Sequence, residues 1–320
     1  ELEKQKQLER QYDEIKKQQA IEKERQNKLL KLEMRKKNDL MFYEKYYEMS
    51  KIIVNRRKIA FCFLIYDKIN LEELWHIFFK TVDSNLFNIY IHYKKDKPLK
   101  YFNKYKINNC IETKWGDISL VNAQNLLLQK AMEDENNEHF IFISNSCIPI
   151  KNFYFIYNFL NNNKSYFHIL WNDIKIEHRN KNIHLPRCNE LKKHINIEYI
   201  QKSSQWCILN KKHANLILNN TYIHNLIDTY NIFAPDEHVY IITLYYLGLK
   251  DELINKSTTY KNFVKDKHAH PKEYNYLNSK DFMQIYSSDN LFARKFNKNC
   301  LDSILHNFSN IFNYKDQIEK

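Results

Sequence analysis

Glycine is nearly missing from this chain: its 320 residues hold only Gly116 and Gly248, where average usage of roughly 7% would place about 22. Loops that cradle phosphate with backbone N–H groups need several glycines close together, so that the chain can close on the anion and reach positive φ without a clashing Cβ. A Walker A loop, a dinucleotide GxGxxG and a kinase glycine-rich loop are therefore excluded. If a nucleotide binds, side chains must hold its phosphates. The six cysteines are scattered without a CxxC pair, which argues against a zinc ribbon or a thioredoxin-like motif. Cys62, Cys147 and Cys207 lie inside apolar runs and read as free buried thiols. The thirteen histidines show no HExxH, and no metal site is expected. No run approaches 18 apolar residues and no signal peptide is visible, so the chain as given reads as soluble and cytoplasmic.

What is present in quantity is apolar and aromatic: 43% and 15% of the residues, with 23 Tyr and 20 Phe. That is enough to build a core despite a mean hydropathy of -0.67, so disorder cannot describe the whole chain. Lys and Arg number 50 against 38 Asp and Glu, a net charge of +12. Such an excess favours anionic partners: nucleic acid, an anionic membrane or a phosphorylated ligand. The same excess follows without functional demand from a composition rich in Lys, Asn, Ile and Tyr and poor in Gly, Ala and Pro, as AT-rich coding produces.

Two regions differ in composition. Residues 1–57 are dominated by Glu, Lys, Gln and Arg, and residues 1–50 contain no Gly or Pro. They read as a charged helical arm or weak coiled coil, a spacer or a site of oligomerisation. Over residues 1–50, 13 Lys and Arg stand against 11 Asp and Glu, a near balance that argues against a dedicated nucleic-acid stripe. Residues 58–320 read as the folded domain. Ile59–Tyr66 is a continuous apolar run of strand length, which implies burial on both faces. Helical spacing over Leu71–Thr81, a strand at Phe87–Tyr93, a helix at Asn122–Met132, a strand at Phe140–Ser144 and a helix at Phe153–Leu160 complete an α/β alternation. This order predicts a parallel sheet flanked by helices, with ligands at the carboxyl ends of the strands, near His92 and Ser144 to Pro149. Further on, Trp206–Leu209 reads as a strand, Lys212–Asn219 and Glu237–Leu249 as helices, and Leu291–Phe296 as a short helix.

Several local patterns carry chemistry. Ala234-Pro235-Asp236-Glu237-His238 opens an apolar helix, where the helix dipole favours an ionised carboxylate, the form a general base needs. Acidic residues at helix starts are also simply common. Ser203-Ser204-Gln205-Trp206 could shape a sugar site with directional hydrogen bonds and an indole face, or place Trp206 in an ordinary core. In Leu291-Phe292-Ala293-Arg294-Lys295-Phe296, two aromatic anchors would leave Arg294 and Lys295 free for an anion, or merely solvated. Lys114-Trp115-Gly116-Asp117 and Ser144-Asn145-Ser146-Cys147-Ile148-Pro149 complete the set. The latter follows a buried strand with Ser and Asn where a metal-using hexose transferase would place two carboxylates, so Mn or Mg is not expected there.

In this order the motifs resemble the core-2/I-branching glycosyltransferase family, which includes β-1,6-N-acetylglucosaminyltransferases and peptide O-xylosyltransferases. The plant-type branch is most similar, on Trp115-Gly116-x-Ile118-Ser119, Ser144 to Pro149, Ser204 to Trp206, Asp236 to His238 and Leu291 to Phe296. The resemblance implies a GT-A-like, Rossmann-type α/β fold with a mixed sheet flanked by helices, and a UDP-sugar donor. It also implies inversion without a metal or other cofactor, and a glycan or glycoprotein acceptor. Glu237 would be the catalytic base and Lys295 the donor's diphosphate ligand, with Arg294, His92, Ser144 and Ser146 on the donor side. Ser204, Gln205, Trp206, Asp236 and Trp115 would face the acceptor. Family members also use an upstream Arg on the diphosphate; the corresponding stretch, Lys265 to Pro271, has none, so either Lys265, Lys267 or a His replaces it or this function is weakened. The Golgi anchoring common in the family does not transfer. Two other readings remain open: an inactive sugar-binding relative, and a basic nucleic-acid-binding protein.

Overall fold

The computed structural model describes residues 13–14, 16–24, 26–27, 30, 57–170, 185–263 and 271–312. The described positions between 13 and 30 are helical and exposed; apart from Arg57, the rest of the arm lies outside the described residues, as do Lys265 and Lys267.

The domain is organised around β1 (Lys58–Ile65). Alternate side chains of a strand point to opposite faces, and here both sets are apolar. Ile59, Phe61, Phe63 and Ile65 enter one core with Trp75, Phe78 and Phe79 of α1 (Glu72–Lys80) and Phe153 of α3 (Phe153–Phe159). Ala60, Cys62 and Leu64 enter a second core with Val121, Leu127 and Leu128 of α2 (Ser119–Met132). That second core also takes Ala214 and Ile217 of α4 (Lys211–Asn219), Ile223 and Ile227 of α5 (Tyr222–Thr229), and Val239, Ile241 and Ile242 of α6 (Val239–Tyr246). One unbroken apolar strand thus separates two hydrophobic layers, as its continuous run requires.

Parallel to β1 lie β2 (Phe87–Tyr93) on one side and β3 (Asn137–Ser144) on the other. The sheet continues through β6 (Ile208–Asn210), β5 (Ser165–Phe167) and β7 (Leu253–Asn255) in the order β2-β1-β3-β6-β5-β7. It is mixed, as the resemblance implied, because β6 runs antiparallel to both β3 and β5. A second sheet, β4-β9-β8, joins β4 (Ile148–Pro149), β9 (Phe292–Arg294) and β8 (Thr259–Lys261). Helices α7 (Ser279–Tyr286) and α8 (Leu301–Phe312) follow and close the first core with Ile285, Tyr286 and Ile304.

Three expectations are corrected. Leu291–Phe296 is not helical: Phe292–Arg294 is the central strand of the small sheet, with Ala293 opposite Ile148 on one side and Tyr260 on the other. Two edge strands already present offer its backbone a full ladder, which outweighs a weak one-turn spacing of phenylalanines. The apolar helix begins at Val239, not Glu237; a 3-10 turn over Pro235–Glu237 precedes it. The strand expected at Trp206–Leu209 starts later, at Ile208, which leaves Ser204 to Trp206 in the loop leading into it. All six cysteines are free, and all but Cys110 are buried. Among the described residues no helix is long and apolar enough to cross a membrane.

Candidate functional site

A cavity of about 640 Å³ lies at the carboxyl edge of β1 to β3. Leu64, Ile65 and Tyr66 line it from the end of β1, Lys94 from just beyond β2, and Ser144 and Asn145 from the end of β3. Because β6 is antiparallel to β3, the loop entering β6 reaches the same edge, and Ser204, Gln205 and Trp206 join the lining. Trp115, Asp236, Glu237, Lys261, Arg294 and Lys295 complete the chemically interesting part. Five motifs distant in sequence therefore meet in one space.

The turn that presents Glu237 is built on a left-handed residue. Ala234 adopts φ 56° and ψ 57°, a conformation costing a non-glycine residue about 1–2 kcal/mol. Its N–H donates to the Gly116 carbonyl at 3.0 Å, which ties the Trp-Gly segment to the Pro-Asp-Glu turn. Gly116 itself has φ +74°, and a Cβ there would lie 2.6 Å from Cε2 of Phe233. Only glycine meets both conditions. Trp115, 71% exposed at the cavity mouth, meets Phe233 edge to face at 5.3 Å.

Glu237 is held by two cations. Lys202 Nζ lies 3.1 Å from Oε2, and Arg187 Nη1 lies 3.5 Å from the same oxygen. Lys202 is nearly fully buried, and Arg187 also donates to the Phe233 carbonyl. The backbone joins in: the Ser203 N–H donates to the Glu237 carbonyl at 2.9 Å, and the Ser204 N–H to the His168 carbonyl at 3.0 Å. Next to Glu237, the Oδ1 of Asp236 is buried without a hydrogen-bond partner. Burial, with the Glu237 carboxylate beside it, pushes the Asp236 carboxyl up to about 7. His238 turns inward, with Nδ1 on the Gln201 carbonyl at 2.8 Å.

Facing this acidic turn is a group of cations from the small sheet. Arg294 stacks its guanidinium over the Trp206 indole at 4.7 Å, and its Nε is buried without a partner. Burial pushes its pKa down. Lys295 is pushed down in the same way by burial and by Arg294. Lys261 donates to Ser204 Oγ at 3.0 Å, and burial with Arg294 nearby pushes it down to about 8. The turn carrying Ser144 to Pro149 is locked to the same sheet. Phe296 N–H donates to the Ser146 carbonyl, and Trp75 Nε1 donates to the Cys147 carbonyl at 3.0 Å.

Among the residues expected on the donor side, Ser144, Arg294 and Lys295 line the cavity, whereas His92 and Ser146 do not. His92 is fully buried and accepts from the Ile111 N–H through Nε2 at 2.9 Å, and burial pushes it down to about 4. Its alternating position on β2 turns it into the domain, so it acts as a neutral structural acceptor. Ser146 is buried against Ser144, Oγ to Oγ 3.2 Å. All five residues expected on the acceptor side line the cavity. Three functional candidates were missed: Arg187, Lys202 and Lys261. Lys202 adjoins the Ser-Ser-Gln-Trp motif, a proximity that could have flagged it. Arg187 and Lys261 lie in stretches with no distinguishing pattern. Among the described residues no three His, Cys, Asp or Glu side chains come together as a metal-binding group.

The buried acid gives a measurable signature. A carboxyl with a raised folded pKa binds its proton more tightly when folded, so the native state loses stability as pH rises from the unfolded value near 4 through about 7. Asp236→Asn is expected to abolish that loss. Relative to the variant, the parent protein should weaken by on the order of 2–3 kcal/mol between pH 4 and pH 8. Urea denaturation of both proteins at the two pH values checks this; parallel stability curves would show that Asp236 is not desolvated.

A mixed sheet between helical layers, with a cavity at its carboxyl edge joining a carboxylate turn to a cation cluster, defines a GT-A-like α/β protein. Residues 59–287 match the Core-2/I-Branching enzyme family, and the chain belongs to that family of glycosyltransferases. It is also 26% identical over 241 residues to the rice protein glycosyltransferase BC10 (Oryza sativa subsp. japonica), covering 63% of this chain and 57% of that one. The matched region thus spans little more than half the length of the curated relative.

Proposed function

We propose that the protein is an inverting glycosyltransferase that moves a sugar, GlcNAc or xylose, from a UDP-sugar to a hydroxyl of a glycan or glycoprotein acceptor. The observation that carries the reading is the convergence of Glu237 and the Arg294–Lys295 pair on one cavity of about 640 Å³. In this reading the acceptor oxygen attacks the anomeric carbon as the bond from that carbon to the diphosphate oxygen breaks. Glu237 takes the acceptor's proton, and the electron pair leaves on UDP. Lys202 and Arg187 both hold Oε2 of the carboxylate in place at the cavity wall. Lys295, with Arg294, meets the charge that develops on the departing diphosphate, work that a divalent cation does in other sugar transferases. Side-chain cations already placed in a partly desolvated cavity support transfer without metal.

The test is release of UDP from UDP-GlcNAc, UDP-xylose, UDP-glucose and UDP-galactose, with and without EDTA. Release from at least one donor, unchanged by EDTA, is expected. Binding of UDP without release from any donor would replace this reading with that of an inactive sugar-binding relative.

A further inference from the structure

Residues 94–106, which follow edge strand β2, hold six lysines against one acidic residue, Asp96. Thirteen residues of 320 thus carry five of the twelve net positive charges, a concentration that a lysine-rich composition spread evenly along the chain does not produce. The segment is a closed loop. The Ile107 N–H donates to the Ile91 carbonyl at 2.9 Å, and the N–H groups of Lys94 and Lys95 donate to the Tyr66 carbonyl at 3.0 and 2.7 Å. Leu99 and Phe102 anchor it in the first core. The Glu72 carboxylate of α1 accepts the N–H groups of Tyr101 at 2.6 Å, Phe102 at 3.0 Å and Lys100 at 3.2 Å. Three backbone donors on one carboxylate stiffen a segment whose own regular structure is a single 3-10 turn.

The lysines are arranged on tyrosines. The ammonium of Lys95 lies 5.4 Å from the centre of the Tyr66 ring, that of Lys100 4.7 Å from Tyr101 and that of Lys104 5.0 Å from Tyr105. Carboxylates answer the other three lysines: Asp96 lies 2.6 Å from Lys106, Asp67 2.5 Å from Lys97 and Glu112 3.7 Å from Lys94. Among the described residues Lys95, Lys100 and Lys104 form no salt bridge, although Glu72 and Glu73 stand near Lys100, and all three are exposed. Tyr93, Tyr101 and Tyr105 pack against the first core, so their rings support the lysines and are not free to insert into a bilayer. The tract is continuous with the cavity, because Tyr66 and Lys94 line it. What it offers a partner is fixed positive charge along a path into the candidate site, a device that selects an anion and steers its approach.

We propose that residues 94–106 form an extended acceptor subsite for an anionic glycan, whose carboxylate or sulfate groups meet Lys95, Lys100 and Lys104 while one end of the chain enters the cavity beside Tyr66. This rests on the reading of the cavity as a sugar-transfer site. A neutral acceptor would leave the three charges unmet, so the loop selects acidic chains over neutral ones of the same length.

Calorimetric titration of the full chain with a carboxylated oligogalacturonate, a sulfated heparin oligosaccharide and a neutral xylo-oligosaccharide tests the proposal. The proteins compared are the parent, K95Q/K100Q/K104Q and K130Q/K250Q/K280Q, the last removing as many exposed lysines elsewhere. At least one anionic chain should bind the parent about 10-fold or more tighter than the neutral one, and whichever binds tighter identifies the group recognised. K95Q/K100Q/K104Q should weaken that chain by about 5- to 50-fold, the sum of three exposed ion pairs, with the preference fading as salt rises. K130Q/K250Q/K280Q should stay within about twofold of the parent, and all three proteins should melt at the same temperature. Equal affinity for anionic and neutral chains overturns the proposal, as does an equal loss in the two variants, which marks net charge alone. Tighter binding to phosphatidylserine vesicles or to single-stranded RNA than to either anionic glycan, lost in K95Q/K100Q/K104Q, overturns it in favour of that partner. If UDP is released from a donor and no anionic preference appears, the subsite fails and the transferase stands. If UDP is neither bound nor released while the preference and its loss persist, the transferase reading fails and the loop stands as a glycan-binding surface.

Discussion

Glu237→Gln is expected to lower the rate of sugar transfer by about 10²- to 10⁴-fold, the usual contribution of a positioned general base, while leaving UDP affinity within about twofold. Glutamine keeps the size of the side chain and an oxygen that can still accept from Lys202, now 3.1 Å from Oε2. The turn is set by backbone contacts that the substitution does not touch: Ala234 N–H to the Gly116 carbonyl and Ser203 N–H to the Glu237 carbonyl. What disappears is the capacity to take a proton from the attacking hydroxyl. Steady-state turnover of whichever donor proves active, measured beside UDP titration, reads both quantities. Turnover at the parental rate would remove Glu237 from the mechanism. Equal losses in turnover and UDP affinity would instead point to a damaged cavity.

Trp75→Ala should cost about 3–5 kcal/mol, the range for emptying a large aromatic from a packed core. Trp75 is fully buried. Its ring packs edge to face on Phe63 at 5.0 Å and on Phe78 at 5.5 Å, and it stacks against Phe292 of β9 at 6.2 Å. The indole N–H also holds the Cys147 carbonyl, so removal leaves a buried acceptor without its donor as well as a cavity. A domain whose whole stability is on the order of 5–15 kcal/mol feels such a loss severely. The effect should extend to the site, because Trp75 joins the β3–β4 turn to the strand carrying Arg294. Trp75→Phe, which restores much of the volume but not the hydrogen bond, should recover more than half of the stability. Urea unfolding monitored by circular dichroism measures both; a midpoint unchanged in Trp75→Ala would show that this core does not depend on the indole.

The elements readable in advance were those with a strong period or an unbroken apolar run. Lys58–Ile65 is buried on both faces as its composition demanded, and α1, α2 and α3 match their helical spacing to within a few residues at each end. Of the three-residue strands, β6 was read as a strand but begun two residues early, β9 was taken for a helix, and β5, β7 and β8 were unseen. Strands this short show barely more than one alternation, and their existence depends on a neighbouring ladder rather than on their own side chains. Leu291–Phe296 shows this most clearly, since its one-turn pair of phenylalanines lies in a strand between β4 and β8.

The candidate site was legible as residue types and order. Glu237, Arg294, Lys295, Ser204 and Trp206 stand in motifs, and all line one cavity. Their meeting was not legible. In a wholly parallel sheet, the loop entering β6 would lie at the amino edge, far from Ser144; the reversed direction of β6 is what carries Ser204 to Trp206 to the carboxyl edge. Lys261 acquires its place from its register against Arg294, and Lys202 from the fold of its loop onto Glu237.

By itself, the sequence determined that phosphate could not be held by a glycine-rich loop, that a two-faced apolar strand would organise the domain, and which side chains carry chemistry. These are local properties of composition and spacing. Only the tertiary structure decided where His92 points, which cations attend Glu237 and which line the cavity from the small sheet. Strand direction, register and burial arise from contacts between segments tens or hundreds of residues apart, and no local pattern encodes them. One glycine, Gly116, belongs to both accounts: its scarcity is visible in the chain, and its necessity only in the positive φ and in the Phe233 ring beside it.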